Sequence, residues 1–361
     1  MRAFLIIGLL LAGNPTAWPA EKHDQAAVDK AVERGIAFLI SKQHSTGAIA
    51  DGTPPSLSYP HAMTGLASLA LVAVGHRPAD ESPAGQALRK ALEYLLDEKR
   101  LQSGPNLPPG YFGGMDGSRM YGHGIVTLFL AEMVGMGVDA RQDALIRTRC
   151  QAAIDLIVRS QKVKKTPNFT GGWRYTPLSS DADLSVTVWQ VMALRAAKNA
   201  GLTVPKETID AAVEYIKRSY SSPRDKDGKI INLKSGFSYM PGGGPGYAAA
   251  AAGLLALQVC GEYDAPELNG ATEWLRLSRP KTVGGAGHFY YGTYYFSQGM
   301  YQRGGTVATE SKQFVESLLL AAQKENGTWT GGGTEASPVY CTALAILSLS
   351  VRHHFMPIYQ R

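Results

Sequence analysis

The chain has 361 residues, 45% hydrophobic and 18% charged, with 36 basic against 30 acidic side chains, the balance of an ordinary folded protein. The net charge of +6 is not gathered into a stripe: "KVKK" at 162–165 is the one concentrated basic run, which excludes a nucleic-acid footprint. No C-x-x-C or H-x-x-x-H spacing points to a metal, and the three cysteines, Cys150, Cys260 and Cys341, sit far apart in apolar surroundings as buried hydrophobes.

Residues 1–20, "MRAFLIIGLLLAGNPTAWPA", combine a basic start, a short apolar stretch and a Pro/Ala-rich end. They read as a secretory signal peptide too short to span a bilayer, which predicts a protein exported to the periplasm or beyond. Residues 21–361 are then expected to form a single domain without a transmembrane segment.

From there the apolar pattern has the helical period throughout. Six pairs of helices are predicted: 26–43 with 60–75, 84–98 with 119–136, 142–161 with 183–200, 205–219 with 246–260, 265–277 with 287–302, and 306–323 with 337–351. The first member of each pair is amphipathic: Val28, Val32, Ile36 and Leu39 share one face while Asp29, Lys30 and Glu33 lie off it. The second is apolar nearly all round, as in "YAAAAAGLLALQV" at 247–259, and must be buried on every side. No sustained alternation of period two marks a strand. Six such hairpins predict an all-α (α/α)6 toroid, apolar helices inside and amphipathic ones outside. An open solenoid would need polar terminal repeats, whereas the last inner helix, "VYCTALAILSLSV", is fully apolar.

The corners repeat as well. "AAQKENGTWTGGG" (321–333) sets Gln323 four residues before Gly327 and six before Trp329; Gln43 precedes Gly47 in the same way, and Gln161 leads to Gly172-Trp173 by a longer loop. Glycine supplies a positive φ and tryptophan packs in the crossing, so the motif is a structural brace. Gln323-x-x-x-Gly327-x-Trp329 also resembles the QW repeat of squalene and oxidosqualene cyclases. "GGWRYTPLSSDADLSVTVWQVMALRAAKNAGL" (171–202) is similar to the prenyltransferase/squalene-oxidase repeat, a resemblance that extends in weaker form over residues 25–355. It implies the toroid of the terpenoid cyclase and protein prenyltransferase superfamily, which hosts several activities.

All inner helices should start at one rim, where polar and aromatic residues gather. The ligand-facing set is taken as His61, His123, Trp189, Tyr247, His288, Tyr290, Tyr291, Tyr294 and Tyr340, around an apolar cavity with a few convergent polar groups. The resemblance implies that Asp183 is the acid that protonates an alkene and Asp181 its partner, although Leu184 stands where cyclases carry a third aspartate. Read from the residues alone, aspartates beside Ser180 at a helix start are equally good N-caps. Three functions stay open: a cyclase-like protein binding an isoprenoid or other hydrophobic molecule, active or degenerate; a non-catalytic module binding a protein; and an exported glycan-active toroid. None calls for a cofactor.

Overall fold

A computed structural model describes residues 25–53, 56–104, 107–353 and 355–359; the predicted signal peptide lies outside the described residues. Twelve α-helices follow one another: α1 Gln25–Ser41, α2 Pro60–Ala73, α3 Pro83–Leu96, α4 Arg119–Glu132, α5 Ala140–Gln161, α6 Leu184–Asn199, α7 Lys206–Arg218, α8 Tyr247–Val259, α9 Pro266–Ser278, α10 Phe289–Arg303, α11 Gly305–Ala322 and α12 Pro338–Leu349. Each predicted pair is present within a few residues. The one departure is a short antiparallel hairpin between α3 and α4, β1 Gln102–Gly104 with β2 Leu107–Tyr111. Its strands, three and five residues long, are too short for period-two alternation to register.

The even-numbered helices form the inner ring. Each packs on its even neighbours, α2 on α4, α4 on α6, α6 on α8, α8 on α10, α10 on α12, and α12 back on α2. The ring is therefore closed, and the structure is the (α/α)6 toroid. Inner helices are buried along nearly their whole length (in α2, every residue from His61 to Ala73), whereas α7 buries only its apolar stripe.

At three corners the glutamine amide joins one repeat to the next. Gln43 Nε2 donates to Gly47 O in its own turn and to Ala87 O of α3. Gln161 donates to Gly171 O and to Thr208 O of α7, and Gln323 to Gly327 O and Ala31 O of α1, the last at 2.8 Å across the join between the final and first hairpins. The turn glycines have φ of 94°, 93° and 83° at Gly47, Gly171 and Gly327, and a Cβ on them would lie 2.3, 2.0 and 2.6 Å from carbonyl oxygens of the next outer helix. Below each turn the chain is pinned to its own inner helix, where Ile49 N–H donates to Thr64 Oγ1, Trp173 N–H to Thr187 Oγ1 and Trp329 N–H to Thr342 Oγ1. The indoles of Trp173 and Trp329 then reach back to Ile157 O and Leu319 O. The QW motif is thus a three-way joint between an outer helix, its inner partner and the next repeat.

Gln323→Ala should lose about 2 kcal/mol of unfolding free energy, from two hydrogen bonds of about 1 kcal/mol each. Gln323→Glu should lose more, because its carboxylate sets acceptors against two carbonyl oxygens. Urea denaturation followed by circular dichroism checks the ranking.

Candidate functional site at the rim

The starts of the inner helices share one face of the toroid, and their caps form a relay around it. Asp51, in the loop before α2, accepts from Ser337 Oγ and Val339 N–H at the start of α12. Asp116, before α4, accepts from His61 and Ala62 N–H of α2, and Glu335, before α12, from Tyr290 and Tyr291 N–H of α10. Backbone carbonyls do the same elsewhere: Tyr175 O takes Met120 N–H of α4 and Tyr239 O takes Leu184 N–H of α6. Each of these five loops caps the inner helix of the repeat before it. Among the described residues the non-glycine positions with positive φ are Tyr59 (45°), Arg119 (57°) and His288 (56°), all at inner-helix starts. Such a conformation costs on the order of 1–3 kcal/mol per residue, so strain is concentrated on this face.

Asp183 lies on this face. It is the N-cap of α6, fully buried, and its Oδ1 accepts Val186 N–H at 2.9 Å and Ser185 Oγ at 2.7 Å. Tyr239 Oη donates to Oδ2 at 3.1 Å, and Arg174 Nε lies 3.4 Å from the same oxygen. Burial pushes the Asp183 carboxyl above its ordinary range, while these donors and the guanidinium pull it back. Two hydroxyl chains run outward from it. Tyr121 Oη bonds to Ser185 Oγ, and Tyr175 Oη bonds to Tyr239 Oη at 2.6 Å. With Asp183 accepting at the centre, every proton in both chains points inward. The half-buried Tyr121 and Tyr175 then present oxygen lone pairs at the mouth. Tyr291 Oη adds a bond to Ser185 O at 2.6 Å.

Asp181 does not share the buried position of Asp183. It is 39% exposed and pairs with Arg174, whose guanidinium lies 5.1 Å from the Tyr175 ring centre and 6.0 Å from that of Tyr239. The two carboxylates are thus joined through one arginine, one buried and one exposed.

The remaining predicted site residues divide sharply. Trp189, Tyr291 and Tyr294 fill the ring's interior with Tyr295: Trp189 stacks on Tyr294 at 5.8 Å and 18°, and Tyr291 meets Tyr295 edge-on at 4.8 Å. Trp189, Tyr294 and Tyr295 are 0–1% exposed, so almost none of their surface meets space a water molecule can enter. The expected aromatic wall is present but closed on itself, because tyrosines spaced along one helix interleave with the indole opposite. Tyr340 is half-buried, with Tyr121 and Glu335 within electrostatic reach, and belongs to the mouth.

Of the other five, four face elsewhere and one stays at the rim. His123 is fully buried, with Nδ1 taking Phe112 N–H and Nε2 reaching Ala153 O; burial lowers its pKa to about 4 and keeps it neutral. His61 binds Phe112 O through Nδ1 and packs on Tyr94 of α3. Tyr247 pairs with Thr293 inside the α8–α10 interface, and Tyr290 turns out to Thr330 O. His288 is exposed at the rim and bonds Thr334. Sequence reasoning missed Arg174, Tyr175, Ser185 and Tyr239. The first two follow Trp173 in the corner motif, and Tyr239 comes from a long loop with no periodic signal. Among the described residues no cluster of His, Cys, Asp or Glu could hold a metal ion.

No family model and no curated protein sequence matches the chain. Solved structures do. An inactive variant of the GH76A α-1,6-mannanase of Salegentibacter sp., in complex with α-1,6-mannotetrose, is 11% identical over 90% of this chain and 98% of its own, with a TM-score of 0.60. The type II terpene cyclase MstE from Scytonema is 16% identical over 92% of this chain and 100% of its own, at 0.55, and a glycosidase variant is 12% identical over 93% and 100%, also at 0.55. The protein is an (α/α)6 toroid, the architecture that the QW resemblance implied. Mannanases build on the same architecture, and at these identities the likeness is one of fold.

Asp183→Ala should cost about 1–2 kcal/mol through loss of the helix cap. Asp183→Asn, which keeps an oxygen for Val186 N–H and Ser185, should cost less. Urea titration of both variants measures the difference.

Proposed function

We propose that the mouth of the toroid binds a hydroxyl-rich molecule with flat apolar faces, and that a carbohydrate chain is the class it fits. The observation that carries this reading is the direction of the hydroxyl chains. Both end at the mouth in tyrosine oxygens that accept, and a sugar hydroxyl donates. The Tyr59 and Tyr239 rings, 52% and 39% exposed, offer faces for the ring carbons. Asp181 is the carboxylate within reach of such a ligand, and Asp183 orients the hydroxyls around it. The fold likeness to a mannanase crystallised with an oligosaccharide supports the reading. So does an exported location, which the composition of residues 1–20 favours; among the described residues no helix is long and apolar enough to cross a membrane.

A second reading has one observation in its favour. Asp183 sits with its carboxyl raised by burial at the head of the helix that carries Trp189, whose ring lies in the Tyr291, Tyr294 and Tyr295 stack. An acid over aromatic faces suits protonation of an isoprenoid and stabilisation of the cation. It requires those packed rings to part.

Isothermal titration with α-1,6-mannotetraose and a panel of other oligosaccharides should give saturable binding. Tyr239→Ala should weaken it about tenfold, about 1.4 kcal/mol. A silent panel, together with an isoprenoid in the organic extract of the purified protein, would replace the first reading with the second.

A further inference from the structure

The toroid has a second end, where the inner helices finish, and the segment after α12 covers it. Phe355 packs on Gly75, just past α2, where a Cβ would come within 3.0 Å of its ring. Met356, Ile358 and Tyr359 are buried, at 3%, 4% and 7% exposure. Ile358 N–H donates to Oε1 of Glu132, the last residue of α4, at 3.2 Å. Tyr359 then enters the ring. Its hydroxyl bonds that of Tyr294, on the second turn of α10, whose other side stacks on Trp189. The plug thus reaches from the lower end to the aromatic layer beneath the rim.

Glu132 is unusual among the groups that hold it. The residue is 6% exposed, and its Oε2 has no hydrogen-bond partner among the described residues. Among the described residues, Tyr294 and Tyr359 are the titratable groups that face it, and no basic side chain does. A carboxyl so placed is tolerated neutral and costly charged.

We propose that the lower end of the toroid is a second ligand site, for a hydroxylated aromatic ring, which the chain's own Tyr359 occupies and from which ionisation of Glu132 releases it. The phenol of Tyr359 shows what the site accepts: a flat ring with its hydroxyl on Tyr294 and the free oxygen of Glu132 alongside. Burial holds the Glu132 carboxyl at a pKa of about 8 while the plug is docked, against 4.5 for the ordinary group. The docked state therefore carries the extra proton. Its docking is strongest below the ordinary value and weakens as pH rises towards about 8, by up to tenfold per pH unit. The proposal is independent of what the rim binds.

The test reads docking without a competitor and displacement at one pH. Hydrogen exchange of the Ile358 amide, whose N–H is held by Glu132 only while the plug is docked, is followed in the full chain at pH 6 and pH 8.5 and corrected for the intrinsic pH dependence of exchange. Its protection should fall at least tenfold at the higher pH. At pH 6, p-cresol should lower that protection and shift the methyl resonances of Met356 and Ile358 saturably. In Glu132→Gln the protection should be the same at both pH values. Tyr359→Phe, which keeps the ring and loses the hydroxyl bond, should be less protected at both pH values with the pH difference intact; this variant carries the test if Glu132→Gln does not fold. Methyl signals indifferent to p-cresol overturn the proposal, as does equal protection at both pH values or a pH difference that survives in Glu132→Gln.

Discussion

Everything in this molecule depends on a side-chain amide that reaches between repeats. An inner helix and its outer partner are tied by sequence and loop length, but nothing in that pairing fixes where the next pair goes. The glutamine at a corner does, by holding one carbonyl of its own turn and one of the following outer helix, while the turn glycine lets the two backbones approach to a distance that any Cβ would forbid. At Gln323 the following helix is the first one, and the same local contact becomes the closure of the ring.

The architecture was largely legible because each of its levels leaves a periodic mark. Wholly apolar segments such as 247–259 have nowhere to go except a centre surrounded by other helices, and striped segments such as 206–218 have one face to bury. The corner motif was legible as a brace, though not as a joint to the next repeat, since its second acceptor is a backbone carbonyl that any residue supplies. Ala87, Thr208 and Ala31 share no side-chain feature.

The site was legible only where chemistry and helix starts coincide. Asp183 could be picked out, and its capping role follows from elementary helix physics. The depth of burial that separates it from Asp181, two residues away, comes from where the chain turns into α6. His61 and His123 looked like rim residues because they lie in the first turns of inner helices. A helix turns its residues through every direction, and these two point outward, into the joint with α3 and α5, where backbone carbonyls hold their nitrogens. Arg174 and Tyr239, which shape the site, lie in loops where no period announces them.

The relay of caps around the rim gives the ring a circular grammar. Asp51 serves α12, Asp116 serves α2 and Glu335 serves α10, so the loop that decorates one repeat is part of the foundation of its neighbour. A change in such a loop is felt one repeat away from where it is made. This rim therefore cannot be varied loop by loop as it can be on a scaffold whose loops stand free. Loops joined in this way must change in adjacent pairs, and through Asp51 that rule extends across the join between the last repeat and the first.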